Sequence, residues 1–346
     1  MSGNINTLSK GGLSERSFNG TFSHIAIGVP ITRRSGLSIG LLPYSELGYE
    51  FHNAGKIDTM NVDYNYSGEG GLSKAFIGYG YQIAKGFRLG LNLEYIFGNM
   101  QQLRSTEFIN QPASINVRIQ NRDNVYGLNF SYGAQYDVDL SDKVKLTIGY
   151  SGSARSGISS QETNVVTRFT RDIAGNENPA IDTAQFINNA ASKFKLPVIH
   201  NVGFSISKYN NWLFGADVRI GQWADLEISG VNQGLQNTLG VSVGAQWTPD
   251  IAAVSGYFKR VDYRVGFQYD KSYVRLSNTD IKQTSATFGI GLPFSSISRF
   301  TFSKFNLATE IGQRGTLSNN LVKENFINFH LGFTLNDKWF SRFKFD

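Results

Sequence analysis

Along nearly the whole chain, apolar residues alternate with small or polar ones. Successive side chains of a β-strand point to opposite faces, so a period of two describes strands whose faces meet different surroundings. Between 261 and 269 one face carries Val261, Tyr263, Val265, Phe267 and Tyr269, and the other Asp262, Arg264, Gly266 and Gln268. Leu239, Val241, Val243, Ala245 and Trp247 alternate likewise with Gly240, Ser242, Gly244 and Gln246. The same pattern runs through 87–97, 128–138 and 327–335. A helical period of 3.6 fits none of these segments.

Strands are read at 17–31, 35–53, 57–83, 86–108, 113–139, 143–170, 197–208, 211–227, 236–248, 258–276, 281–293, 298–311 and 324–336. Several approach twenty residues, whereas strands of soluble proteins usually run about 3–10. Short turns alternate with longer connections, of which 171–196 is the longest. Tight periplasmic turns and larger outer loops produce that parity. It makes 171–196 the largest outer excursion and sets the C-terminus on the periplasmic side. The fold class is therefore an all-β, transmembrane antiparallel barrel occupying 1–346 as one domain. Thirteen strands is an odd number, and single-chain bacterial barrels have an even one. The stretch 1–14 reads as the remnant of a fourteenth strand, most of it missing, with a seam between 17–31 and 324–336. The opening MSGNINTLSKGG has no signal-peptide character, so the export signal is expected to be missing from this sequence. No run of about 18 apolar residues is present, which excludes a transmembrane helix and says nothing against a barrel.

Composition agrees. The chain has 37 glycines, 7 prolines and 13% aromatic residues, and only 17% of it is charged. The net charge is +6, but the cations stand singly among acids and form no basic stripe, so nucleic acid is not an expected partner. With no cysteine, neither a disulfide nor a thiolate site is available. GVSVG at 240–244 matches a nucleophile motif that needs a sharp strand-to-helix turn, yet Ser242 stands mid-strand in clean alternation. His24, His52, His200 and His330 fall on separate strands without ligand spacing. These residues point to no enzyme, no cofactor and no metal.

KLPVIHNVGFSIS (195–207), WLFGADVRIGQWADL (212–226), NTLGVSVGAQWTPD (237–250) and YRVGFQYDKSYV (263–274) resemble the FadL-like outer-membrane transporters of long-chain fatty acids and hydrocarbons. In the first half, GTFSHIAIGVPI (20–31), GLSIGLLPYSELGYE (36–50) and YSGEGGLSKAFIGYGYQI (66–83) are similar to the Bacteroidetes branch of that family. The resemblance implies a fourteen-stranded barrel plugged by an N-terminal hatch, which this sequence does not contain. It also implies a solute that enters from outside, rests in an apolar pocket and leaves sideways through a gap at a kinked third strand.

The residues give independent grounds for such a gap. If one strand precedes 17–31, then 35–53 is the third, and the alternation of Leu37, Ile39 and Leu41 breaks at Leu42, Pro43 and Tyr44. Proline removes a ladder donor and is confined to edges, strand starts and bulges. The lateral-opening candidates are Leu42, Pro43, Tyr44, Ser45 and Gly48, with Gly68, Gly70 and Gly71 of the next strand providing room or a bend. An ordinary bulge without a role fits the same residues. Arg88, Glu94, Asp217, Arg219, Asp225, Asp262, Arg264 and Asp270 alternate inward and form a candidate lumen network, structural or selective. The expected function is passage of hydrophobic small molecules across the outer membrane, with membrane lipids as surroundings. A structural or partner-binding barrel of an outer-membrane assembly and a polar diffusion porin are the alternatives. The sequence names neither the solute nor any protein partner.

Overall fold

The computed structural model describes residues 1–346 apart from 110, 112, 210, 229, 295–301 and 337–346, and no side chain is described at 302. The first half contains β1 (Ser2–Lys10), β2 (Leu13–Thr21), β3 (Ile25–Thr32), β4 (Ser35–Ile57), β5 (Met60–Ala84), β6 (Phe87–Phe108), β7 (Asn116–Ser141), β8 (Val144–Ser153) and β9 (Gly157–Phe169). The second half contains β10 (Asp182–Lys195), β11 (Ile199–Lys208), β12 (Trp212–Gly221), β13 (Glu227–Ile228), β14 (Val231–Asn232) and β15 (Thr238–Trp247). It ends with β16 (Asp262–Leu276), β17 (Thr279–Phe294), β18 (Phe302–Gly315) and β19 (Lys323–Asn336). All join one antiparallel sheet, which closes where β1 pairs with β19 on one side and β2 on the other. Three staves are each built from two strands in succession: β2 with β3, β8 with β9, and β10 with β11. With the small β13–β14 hairpin set aside, the described residues make fourteen staves.

The alternation holds around the wall. Val265 and Val241 are 55% and 37% exposed on the outer face, while their neighbours Gln268 and Ser242 pair with each other on the inner one. The outer surface is a belt of aliphatic and aromatic side chains, and Trp212, Trp247 and Tyr263 stand side by side across three staves. The inner face carries glycines directly opposite one another: Gly36, Gly80, Gly90 and Gly133 on β4 to β7, and Gly215, Gly244 and Gly266 on β12, β15 and β16. With no side chains at these points, the lumen keeps a cavity of about 1120 Å³ bounded by Gly36, Gly80, Gly90, Gly133 and Gly215.

Two expectations need correction. The first stave is not a remnant: eight residues of β1 pair with β19, from Ser2 opposite His330 to Ser9 opposite Lys323. The expected direct seam between 17–31 and 324–336 is thus filled along that length. Alternation is weak there because the outward row, Gly3, Ile5, Thr7 and Ser9, carries a single large apolar residue. The excursion at 171–196 is also shorter than expected, since 182–195 forms β10 and pairs with β9. Bulges between Thr183 and Gln185 and between Ile187 and Ala190 break its period of two, which hid it from sequence reading.

The staves differ in length. β4 has 23 residues, which span about 75 Å at 3.3 Å each. β12 and β15 have 10 each. The ends of β4, β5, β6, β7, β9 and β10 therefore rise past the rest of the ring as a six-stranded wall. We call this end distal. A strap, 170–181, lies against the wall. Arg171 donates to Glu107 from Nε at 2.9 Å and Nη2 at 2.6 Å, and Arg118 donates to Glu177 at 2.8 Å while its guanidinium lies 4.5 Å from the Phe169 ring centre. Burial pushes the Glu107 carboxyl up, but hydrogen bonds from Ser105 and Arg171 outweigh it and hold the group below its ordinary range.

Two outcomes test this arrangement. Arginine on the lipid face at mid-membrane costs about 2–4 kcal/mol. Val265→Arg and Val241→Arg should block the heat-modifiable folding of the barrel into detergent or lipid, while Gln268→Arg and Ser242→Arg fold. For the strap, a lowered carboxyl pKa means stabilisation that is present above the ordinary value and lost as pH falls through the folded one. Protease cleavage within 170–181 should therefore rise below about pH 4, and Glu107→Gln should raise it already at pH 7.

Candidate functional site

The ladder between β3 and β4 runs from Thr32 opposite Ser35 to Ile25 opposite Leu41 and stops. From Leu42 to Ile57, β4 pairs with β5 alone, and β2 pairs with β1 alone. Above Leu41, therefore, β2 and β4 are not paired with each other. At the same height the β4–β5 ladder slips: Pro43 faces Ser73, Ser45 faces Leu72, and Tyr44 is the extra residue of a bulge. The proline without an N–H and the bulged tyrosine both break regular pairing where the two staves part.

The distortion crosses three staves. Gly70 has φ +107° and a Cβ there would stand 2.3 Å from the Asn99 carbonyl oxygen. Opposite Leu72, Gly98 has φ +152° and a Cβ would stand 2.2 Å from the Gly71 oxygen. Only glycine permits both the conformation and the approach. Among the candidates expected to give room, Gly48 alone has open space around it. Gly68 is covered by the Tyr49 ring, and Gly70 and Gly71 meet neighbouring backbone.

Tyr44 joins an apolar cluster inside the wall, packing with Met100 and Phe194 against buried Leu72, Ile96, Val125, Ile158 and Leu196. Sequence reading missed these five. Their signal was an apolar residue in an inward row that is otherwise polar, as Ile96 is after Arg88, Gly90, Asn92 and Glu94. Directly below lies a polar floor. Glu94 is 4% exposed and accepts from Lys74 Nζ at 3.1 Å, Asn129 Nδ2 at 2.7 Å and Ser131 Oγ at 2.8 Å. The Lys74 ammonium lies 5.9 Å from the Tyr44 ring centre. A cavity of about 420 Å³ has Tyr44 and Leu196 at one end, runs along Lys74, Glu94 and Asn129, and reaches Gly90 and Asn201 further down the lumen. Leu42 pairs with Lys74 at its edge.

The inward charges do not form one network. Besides the Glu94 cluster, Arg88 pairs with Asp137, which also accepts from Thr147 at 2.9 Å and has Lys145 at 3.6 Å. On the opposite wall Asp262, 1% exposed, accepts from Thr248 at 2.7 Å, Lys304 at 2.8 Å and Arg264 at 2.9 Å. Arg264 also reaches Gln246 and Asn306. Asp270 accepts from Gln268, Arg219 donates to Asn201 at 3.3 Å, and Asp217 lies over Gly203. Asp225 is off the strand wall, in a short turn at 223–225, where it pairs with Arg155. Lys74 and Lys304 were overlooked because a lone lysine in an alternating strand carries no signal of its partner.

The family model of BamG matches the chain over residues 1–346. The chain belongs to the BamG family. Comparison with curated protein sequences finds no match. Among solved structures it is similar to the CymD monoaromatic hydrocarbon channel, with a TM-score of 0.53 and 11% identity over 96% of this chain and 86% of that one. A Pseudomonas aeruginosa FadL homologue gives 0.53 and 12% over 96% and 88%. The Pseudomonas putida toluene transporter TodX gives 0.51 and 11% over 96% and 88%. At such identities the likeness establishes the fold: a transmembrane barrel of the FadL type. Among the described residues no helix is long and apolar enough to cross a membrane.

Removing one partner of a buried ion pair costs about 3–5 kcal/mol, because the other charge is left unpaired. Glu94→Ala should therefore lower stability strongly in urea unfolding from detergent micelles. Glu94→Leu combined with Lys74→Met should recover most of the loss.

Proposed function

We propose that this chain is an outer-membrane transporter that passes hydrophobic small molecules, of the size and character of long-chain fatty acids, with a lateral exit between β2 and β4. The observation that carries the reading is the coincidence at Pro43 and Tyr44. Pairing is lost on one side of β4 and slips on the other, at the height where Tyr44 joins the apolar cluster of the lumen. Unpaired N–H and C=O groups are not tolerated against hydrocarbon, so the gap belongs against water, headgroups or a passing solute. The distal wall then faces outward and the C-terminus lies on the periplasmic side. The apolar layer receives an oily solute, and the polar floor of Lys74, Glu94, Asn129 and Ser131 bars its way down the lumen. The same apolar layer works against a polar porin, which needs a wet passage.

A second reading, a partner-binding barrel within an outer-membrane assembly, is favoured by the distal wall, whose six strands rise past the ring and end in two unpaired edges. Uptake separates the two. Valine at 43 restores an N–H and suits a regular strand. In cells carrying the full-length protein, Pro43→Val should slow uptake of a long-chain fatty acid several-fold without lowering the amount of folded barrel. Unchanged uptake would remove the lateral exit and leave the partner-binding reading.

A further inference from the structure

The unpaired edge of β4 is unusual in what it lacks. Natural sheets blunt exposed edges with bulges, prolines and short strands. The other free edge of the distal wall, β10, carries two bulges and Asn189 at φ +53°. From Ser45 to Ile57, β4 keeps an unbroken ladder with β5 and contains no proline. One edge is distorted along its length, while the other is regular beyond Ser45 and guarded only by the charges of Glu46, Glu50 and Lys56.

We propose that this edge is an acceptor for β2 of the same chain, and that β2 zips along β4 to close the gap. The register is set by what is already paired. Carried upward from Ile25 opposite Leu41, the β3–β4 ladder places Thr21 opposite Ser45, Phe18 opposite Gly48, Arg16 opposite Glu50 and Ser14 opposite His52. A slip of one residue turns every side chain to the wrong face, so zipping requires the faces to match. They do, through two compensating slips. The outward row of the second stave changes from even in β2, where Phe18 is exposed, to odd in β3, with Ile25 and Ile27. The outward row of β4 changes from odd, with Leu37, Ile39 and Leu41, to even through the Tyr44 bulge, so that Glu46, Gly48 and Glu50 point outward.

The pairs this register creates are complementary. Arg16 meets Glu50 with opposite charge. The exposed Phe18 ring meets Gly48, which has nothing within 4 Å of a Cβ, as the Tyr49 ring already covers Gly68 on the next stave. The break at 22–24 between β2 and β3 supplies the hinge. The open form is held by β1, which keeps β2 in the ring, and the closed form adds about nine residues of ladder to β4. As a device that shuts the exit, the proposal rests on the transport reading. The pairing itself does not.

The chain has no cysteine, so pairs of introduced thiols report alone. Full-length protein in native membranes, treated with a short bis-methanethiosulfonate, should cross-link in Ser14→Cys/His52→Cys. The off-register pair Ser14→Cys/Glu46→Cys should stay unlinked, and Asn6→Cys/Ser17→Cys on the permanent β1–β2 ladder serves as the positive control. Glu50→Arg should slow the first link by about twofold to fivefold, as loss of a cross-strand ion pair does, and Arg16→Glu added to it should restore the rate. A Ser14–His52 link no faster than the off-register one, with the control linking, overturns the proposal. Dimers formed through His52→Cys alone also overturn it, by giving the edge to a second copy. Uptake that persists in fully linked protein would instead count against the lateral exit while leaving the zipping intact.

Discussion

Backbone polar groups cannot be left unpaired in hydrocarbon, and this requirement shapes everything in the molecule that lies within the membrane. It demands a ring, and the ring exists because β1 bridges β19 and β2. Nine residues with little apolar character, held by backbone pairing and by contacts such as Asn4 with Asn328, bring together stretches more than 300 residues apart in the chain. Once the wall is closed, inner and outer faces acquire their separate chemistry, and a place where the rule is broken becomes conspicuous.

That place is the parting of β2 from β4. Bulge, proline and two strained glycines lie at one height on three neighbouring staves, which is more than a loose rim requires. The apolar cluster beneath them uses the bulged Tyr44 as one of its members. The defect in the ladder and the pocket in the lumen are thus one construction: the residue that cannot pair is the one that packs.

Much of this was legible in the residues. The alternation gave the barrel, most staves to within a few residues, and the position of the break from Pro43 alone. Strands escaped where their period was disturbed: β1 by small and polar residues on its outer row, and β10 by its two bulges. Inward charges could be recognised but not paired, because pairing depends on register, and register is a property of two strands. Glu94 finds Lys74 and Asn129 on its two neighbours only after both ladders are set. Asp225 showed the opposite failure, where a strand pattern ran past the true end of β12 into a turn.

The rows of facing glycines carry a further consequence. Where facing glycines line the inner wall, a molecule in the lumen meets bare peptide groups, and the side chains that reach the same space, among them Gln82, Arg88, Gln135 and Asp217, are polar. That space of about 1120 Å³ is polar in its side chains, unlike the apolar layer of Tyr44, Leu72 and Ile96. A chamber whose width comes from side chains that are absent is narrowed by any larger residue placed on those glycine rows, while the rest of the barrel stays as it is.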